Sequence, residues 1–164
     1  MAKSTKKRIA PEGATVVATN RQARRDYDIL DSLEVGIVLE GSEVKSLRES
    51  KVRLAESFAQ VHRGQLWLHG LHIAPYSHAA AAFAHDPDRQ RKLLAHRDEI
   101  LRLGSRVERE GLTLVPISIY FLNGRAKIDL AIARGRSRRD RRQEIARRDA
   151  DREARRAVSA SRRK

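Results

Sequence analysis

Six histidines are the first residues of this 164-residue chain that could do chemistry, and two of them, His69 and His72, stand three apart, a spacing that holds a metal on a helix. The neighbouring residues argue otherwise. An apolar row through Leu66 and Leu68 shifts by one to Leu71 and Ile73 across Gly70, which reads as a strand bulge, and no third ligand stands at a telling distance. The pair is therefore read as half-exposed strand histidines. Glu34, Glu40 and Glu43 cluster around an opening strand and helix, where capping and pairing with arginines account for them. The absence of cysteine excludes disulfides, thiolate zinc and a cysteine nucleophile. No nucleophile elbow, phosphate-binding glycine loop or paired-carboxylate motif is present. The chain is expected to need no cofactor and no metal and to act by binding. A metal-dependent RNA-processing enzyme built around His69, His72 and nearby acids is the alternative from the enzyme class.

The chemistry that remains is that of charge. The net charge is +14, and residues 1–8 supply +4 of it through Lys3, Lys6, Lys7 and Arg8 with no acid. Residues 135–164 hold 13 Arg and Lys against 5 Asp and Glu, which leaves the body between them at only +2. A nearly neutral body with two strongly positive ends suits a protein that holds a polyanion. No run of about 18 apolar residues is present for a spanning helix, and no apolar stretch follows the N-terminal charges as in a signal peptide. The tail also lacks the Trp, Phe and Leu face that inserts into lipid. The expectation is a cytoplasmic nucleic-acid-binding protein, with no membrane partner and monomeric when free.

One stretch, residues 35–50, places part of that charge. Val35, Ile37 and Leu39 alternate as a strand, Gly41 supplies a turn, and Ser42 is placed to accept from the next free amides, so a helix is expected from Glu43. Val44 and Leu47 give it a narrow inner face and leave Lys45, Arg48 and Lys51, three apart, as a basic strip.

Ahead of this stretch, Met1 to about Thr19 has the character of a mobile basic arm broken by Pro11 and Gly13. From Asn20 the chain leads into a strand whose one face carries Arg25, Tyr27 and Ile29; such a face can stack on nucleotides, and half-buried sheet packing is the plainer role for Tyr27.

Beyond it, Phe58 to His62 and Gln65 to His69 are strands joined by the turn Arg63-Gly64. Ala79 to Ala82 reads as loop. Asp86-Pro87-Asp88 offers a helix start at Asp88, followed by Arg89 to Leu94 and then Ile100, Leu103 and Val107 at helical spacing, with Gly104 either kinking one helix or dividing two. Leu112 to Leu122 and Arg125 to Arg134 form a hairpin on Asn123-Gly124. Val115, Ile117, Ile119 and Phe121 line one strand, Ala126, Ile128, Leu130 and Ile132 the other, and Pro116 marks an edge or a bulge.

The pattern predicts a mainly β fold, a small antiparallel oligonucleotide-binding-type barrel with about three flanking helices and a basic C-terminal tail; an open sheet covered by helices is the alternative. Residues 1–15 are the basic mobile arm, 16–134 the RNA-binding barrel and 135–164 the tail. In the tail, Glu144 with Arg148 and Asp151 with Arg155 are i,i+4 pairs, each worth about 0.2–0.5 kcal/mol, while Ala146, Ala150 and Ala154 make only a thin stripe. That is helix propensity without a face to bury, so the tail is expected to be disordered when free and helical against phosphate.

Asn20 to Tyr27, Gly36 to Arg48, Trp67, Ile73-Ala-Pro-Tyr76, Arg91-Lys-Leu-Leu94, Thr113-Leu-Val-Pro116, Tyr120-Phe121 and Gly135 to Arg142, taken together, closely resemble the SmpB family of bacterial SsrA-binding proteins over nearly all of residues 16–145. The resemblance implies a partner, transfer-messenger RNA, whose tRNA-like part the protein holds. It also implies the ribosome, where such a protein completes the tRNA shape beside the small-subunit decoding region and sends its tail into the empty mRNA channel. Carried over by motif, Asn20, Arg24, Arg25, Tyr27, Glu34, Lys45, Arg48, Lys92 and Leu94 belong to the RNA-binding surface or its support. Gly135 is the tail's hinge, and Arg136, Asp140, Arg141 and Arg142 its charged channel motif. This chain has Arg25 where the family often has histidine, and Arg141-Arg142 where Lys-Arg is usual; a guanidinium can still stack, with different hydrogen-bond geometry. A general ribosome-associated RNA-binding barrel protein is the second reading.

Overall fold

The computed structural model describes residues 10–161. The basic cluster Lys3, Lys6, Lys7 and Arg8 lies outside them. Strand β1 (Thr15–Thr19) and helix α1 (Arg21–Asp26) are followed by β2 (Tyr27–Ile37), α2 (Gly41–Arg48), β3 (Val52–Arg53), β4 (Phe58–His62), β5 (Gln65–His69) and β6 (His72–Ile73). A 3-10 turn at Ala81–Phe83 precedes β7 (Arg91–Leu94), α3 (Arg97–Glu110), β8 (Thr113–Leu122), β9 (Arg125–Gly135) and α4 (Arg138–Ser161).

Antiparallel pairing runs in the order β1-β8-β4-β5-β7-β2-β9, and β9 also pairs with β8, so the ladder from β8 round to β9 closes on itself with β1 added to β8. The fold is thus the small mainly β barrel with flanking helices that the pattern predicts. Closure follows from alternation: Val35, Ile37, Leu66, Leu68, Leu93, Ile128 and Leu130 all enter one core while their neighbours in sequence turn to the other face of the sheet. Fully burying such a side chain is worth about 1.5–3 kcal/mol, which makes this row the main stabilising term. Both expected hairpins form, with the left-handed backbone at Arg63-Gly64 and Asn123-Gly124 that a two-residue turn of matching twist requires.

Several local expectations are corrected. β1 pairs with β8 through Thr15–Thr19, so the arm character ends before Thr15. Asn20 to Asp26 is not strand: the Asn20 carboxamide oxygen accepts from the Ala23 amide at 3.0 Å and caps α1, leaving Arg25 on a helix and starting the strand at Tyr27. α2 begins at Gly41, two residues early, because Glu40 takes the cap position and its amide donates to the Glu43 carboxylate at 2.8 Å.

The phase shift at Gly70 is a strand end rather than a bulge. The chain turns there at φ +74 and starts the separate β3–β6 ladder; a Cβ would sit 3.1 Å from the Glu56 carbonyl oxygen. Arg91 to Leu94 is strand β7, with Arg91 and Leu93 buried in alternation, and a single α3 passes through Gly104, whose missing Cβ lets Val61 approach.

Pro116 does mark a bulge. The register of β8 on β9 shifts between Pro116 and Ser118, which divides the apolar row expected to be continuous. Leu114 and Ile119 face the barrel core, whereas Val115 and Ile117 join Ala23, Ala131 and Ala133 in a second cluster beneath α1.

Candidate nucleic-acid interface

The basic strip of α2 is built on a buried base. Leu47, Ser46 and Glu43 face inward and are fully buried, which leaves Lys45 and Arg48 on the exposed side. Each cation lies over an aromatic ring from a distant part of the chain: Lys45 Nζ is 5.4 Å from the Tyr76 ring centre and Arg48 Cζ 4.9 Å from that of Phe121. Such contacts fix two long side chains without neutralising them. Lys51, beyond the helix end, pairs with Glu49 at 2.7 Å and does not extend the strip as a free cation.

Under α2, Glu43 accepts from Arg89 Nη2 at 2.6 Å and from Arg91 Nε at 2.8 Å. Burial pushes the Glu43 carboxyl up, but hydrogen bonds from Arg89, the Glu40 amide and Arg91, together with the Arg91 charge, outweigh it and hold the carboxyl below the ordinary range. Arg91 is lowered by its burial and Arg89 raised by its bond to Glu43. Sequence reasoning missed Arg91 as a core residue; the signal was its alternation with Leu93 in Arg-Lys-Leu-Leu.

A second group of expected residues meets on the outer barrel face. Leu94 stands opposite Gly36, where an added Cβ would lie only 3.2 Å from the Leu94 Cβ, and Lys92 stands opposite Trp67. Glu34 is two residues from Gly36 and shares that face; its carboxylate accepts from the Tyr120 hydroxyl at 2.5 Å and lies 3.9 Å from Lys127 Nζ. Burial, helped by the bond to Glu34, pushes the Tyr120 phenol well above its ordinary value. Leu94 is 51% exposed, a large apolar side chain held outward among polar ones.

The remaining expected residues divide between core and surface. Asn20 is 4% exposed, and besides capping α1 its amide nitrogen donates to the Pro116 and Leu54 carbonyls at 3.1 and 3.3 Å, so it supports the surface from inside. Arg24 and Arg25 are exposed on α1, which packs against β2 and β8, and Tyr27 is half-buried opposite Gly135.

Past Gly135, Arg136 is tied down on several sides: its amide donates to the Asp26 carbonyl at 3.0 Å, and its guanidinium meets Asp28 at 2.8 Å and Glu144 of α4. The Ser137 hydroxyl accepts from the Asp140 amide and donates to the Asp140 carboxylate, which secures the start of α4; Arg141 and Arg142 follow on that helix. The histidine pair is not convergent. His69 stacks on Phe58 with ring centres 5.2 Å apart, His72 bonds Asp88 at 2.7 Å, and among the described residues no three His, Asp or Glu side chains gather as metal ligands.

The sequence model of the SmpB protein family matches residues 17–160. An SsrA-binding protein of Saccharopolyspora erythraea is 46% identical over 151 residues, covering 92% of this chain and 95% of that one. That of Mycolicibacterium smegmatis is 52% identical over 147 residues (90% and 91%), and that of Chloroflexus aggregans 53% over 143 residues (87% and 90%). A solved structure described as "tmRNA-SmpB: a journey to the center of the bacterial ribosome" contains a chain 48% identical to this one, with a TM-score of 0.64, over 78% of this chain and 93% of the other. A closed barrel with outward cations, matched at this identity over nearly its whole length, identifies the chain as a member of the SmpB family.

Proposed function

We propose that this protein binds the tRNA-like part of transfer-messenger RNA and delivers it to the A site of stalled ribosomes, where its C-terminal tail enters the empty mRNA channel. Translation then switches to the reading frame of the bound RNA, which tags the nascent chain. The observation that carries this reading is the contrast between two parts of one chain: a barrel with two cations, Lys45 and Arg48, seated on aromatic rings, and a 24-residue charged helix whose described residues are almost all exposed. A rigid surface suits the irregular contour of a folded RNA, while a cationic helix without a packing face suits a channel lined with phosphate.

In this reading Lys45, Arg48, Lys92, Arg24 and Arg25 contact RNA. Glu34 and Leu94 complete the outer face, Asn20 and Tyr27 support it, Gly135 is a hinge, and Arg136, Asp140, Arg141 and Arg142 serve accommodation. Residues ahead of Thr15 act as a basic arm, and those from Gly135 onward as a tail whose helix takes full shape only on the ribosome. The protein works in the cytoplasm as a monomer, by binding rather than by catalysis; among the described residues no helix is long and apolar enough to cross a membrane.

The test has two arms. Deleting Gly135 onward should leave affinity for transfer-messenger RNA largely intact and abolish tagging on stalled ribosomes; equal loss of both would overturn the two-part scheme. In a competitive gel shift at moderate salt the intact protein should prefer transfer-messenger RNA to bulk tRNA and ribosomal RNA, and lack of preference would favour a general ribosome-associated RNA binder.

A further inference from the structure

A groove of about 650 Å³ lies between the start of α2 and the loop that follows Tyr76. Tyr76, His78 and Phe83 line it with rings, and Lys45, Ser42 and Glu40 with polar groups. Phe83 is 77% exposed, the most exposed of the large apolar side chains among the described residues, and it projects from the 3-10 turn Ala81–Phe83. A single exposed ring is ordinary on a protein surface; this one borders a groove that also carries two further rings and polar groups.

The loop is held in place by a side chain two residues further on. His85 is buried; its Nε2 donates to the Ile73 carbonyl at 2.9 Å, which leaves Nδ1 to accept from the Ser42 hydroxyl at 2.9 Å. Ser42, its proton engaged there, faces the groove as an acceptor. Glu40 is an acceptor too, and its charge is partly offset by Arg89 Nε at 3.7 Å. Lys45, over the Tyr76 ring, brings a positive charge to the same wall, continuous with Arg48 one turn along α2.

A ring platform, hydrogen-bond acceptors and one cation are the set of groups that a splayed-out nucleotide needs: a π-face, partners for a base edge that donates N–H, and a phosphate contact. We propose that this groove takes one unpaired nucleobase of the bound RNA, stacked on Phe83, with its N–H edge toward Glu40 and Ser42 and its phosphate on Lys45. The inference rests on the RNA-binding reading above and assigns it a specific subsite. Lys45 is then not merely one cation in a strip, since its position over Tyr76 sets where the backbone of that nucleotide runs.

The experiment uses the full chain with the tRNA-like part of transfer-messenger RNA and base-specific chemical probing of every unpaired nucleotide, alongside gel shifts. Wild type should protect one loop base, and Phe83→Ala should restore its reactivity and weaken binding about 5- to 150-fold, the range for losing one base stack. Phe83→Trp should keep the protection, and Leu101→Ala, another exposed apolar side chain on α3, should change neither readout. If wild type prefers this RNA over bulk tRNA but Phe83→Ala binds equally well with an unchanged footprint, the groove is not a base site and the wider function stands. If wild type shows no preference, the RNA reading fails first and this inference with it. A Phe83→Ala defect confined to ribosome binding, with free RNA bound normally, would assign the groove to another partner and overturn the proposal.

Discussion

Glu43 on α2 and Arg91 on β7 are separated by 48 positions in the chain, yet both are fully buried and meet with Arg91 Nε 2.8 Å from Glu43 Oε1. A buried pair of this kind is weak evidence for net stability, because desolvating two charges offsets most of their attraction. What it supplies is geometry. Arg91 also donates to the Leu71 carbonyl at 2.6 Å and the Pro87 carbonyl at 3.1 Å, so one guanidinium joins α2, the end of the β5 turn and the loop before β7. The strip of α2 is aimed by that junction.

Glu43→Ala should therefore destabilise the chain by about 3–5 kcal/mol, since it leaves Arg91 buried and uncompensated, and replacing both partners by leucine should recover much of the loss. Acid should reveal the same contact. A carboxyl held low in the folded chain but ordinary, near 4.5, in the unfolded one stabilises fully above pH 4.5, and that contribution disappears as the pH falls through the folded value. Urea midpoints of the wild type should fall more steeply below pH 4.5 than those of the double leucine variant. Parallel curves would show that Glu43 is not the group responsible.

The Tyr120 hydroxyl and Glu34 make the corresponding test at high pH. A phenol raised in the folded chain stabilises fully below its ordinary value of 10.0, and the contribution is lost as the pH climbs toward the folded value. Tyr120→Phe should cost about 1 kcal/mol at pH 7, below the roughly 1.5–3 kcal/mol of a bond to a charged group because Glu34 is 41% exposed. It should also remove, from an alkaline absorbance titration, a phenolate step that coincides with unfolding. A titration unchanged by the substitution would mean that the bond does not persist in solution.

What the sequence revealed and what it hid divide along local and non-local lines. Asn123-Gly124 and Arg63-Gly64 announce their hairpins because turn chemistry is local, and Leu66, Leu68, Ile128 and Leu130 announce the core by alternation. Arg91 was hidden because an arginine in a basic run reads as surface until Glu43, far away in sequence, is placed beside it. Pro116 marks an edge or a bulge from sequence alone, but which of the two it is, and the transfer of Val115 and Ile117 to the layer beneath α1, depend on which residues pair on β9. The cations of α2 were legible, whereas their aromatic seats, Tyr76 and Phe121, come from other parts of the chain.

Asn20 separates support from contact. Its substitution by alanine removes the α1 cap, worth about 1 kcal/mol, and strands buried carbonyls at a cost of about 1–3 kcal/mol more. Asn20→Asp keeps the cap oxygen but loses both donors, so it should destabilise nearly as much. At a temperature where the variants are folded, RNA affinity should approach that of the wild type; an affinity loss with unchanged thermal midpoint would make Asn20 a direct contact.

The tail offers the last test. α4 spans 24 residues, and among the described residues Arg136, held between Asp28 of the body and Glu144, ties its start down. Ile145 and Val158, its only large apolar side chains, are 54% and 55% exposed. Helices are marginal in water when tertiary packing does not hold them, and i,i+4 pairs such as Glu144 with Arg148 add only about 0.2–0.5 kcal/mol each. The circular dichroism difference between the full chain and one ending at Arg134 should therefore fall well short of 24 helical residues in the free protein, fall further in Asp28→Ala as Arg136 loses a partner, and rise on adding RNA. Full helicity in the free protein, insensitive to Asp28→Ala and to added RNA, would mean that the helix stands on propensity alone, and the tail would then enter its channel as a preformed rod rather than taking shape there.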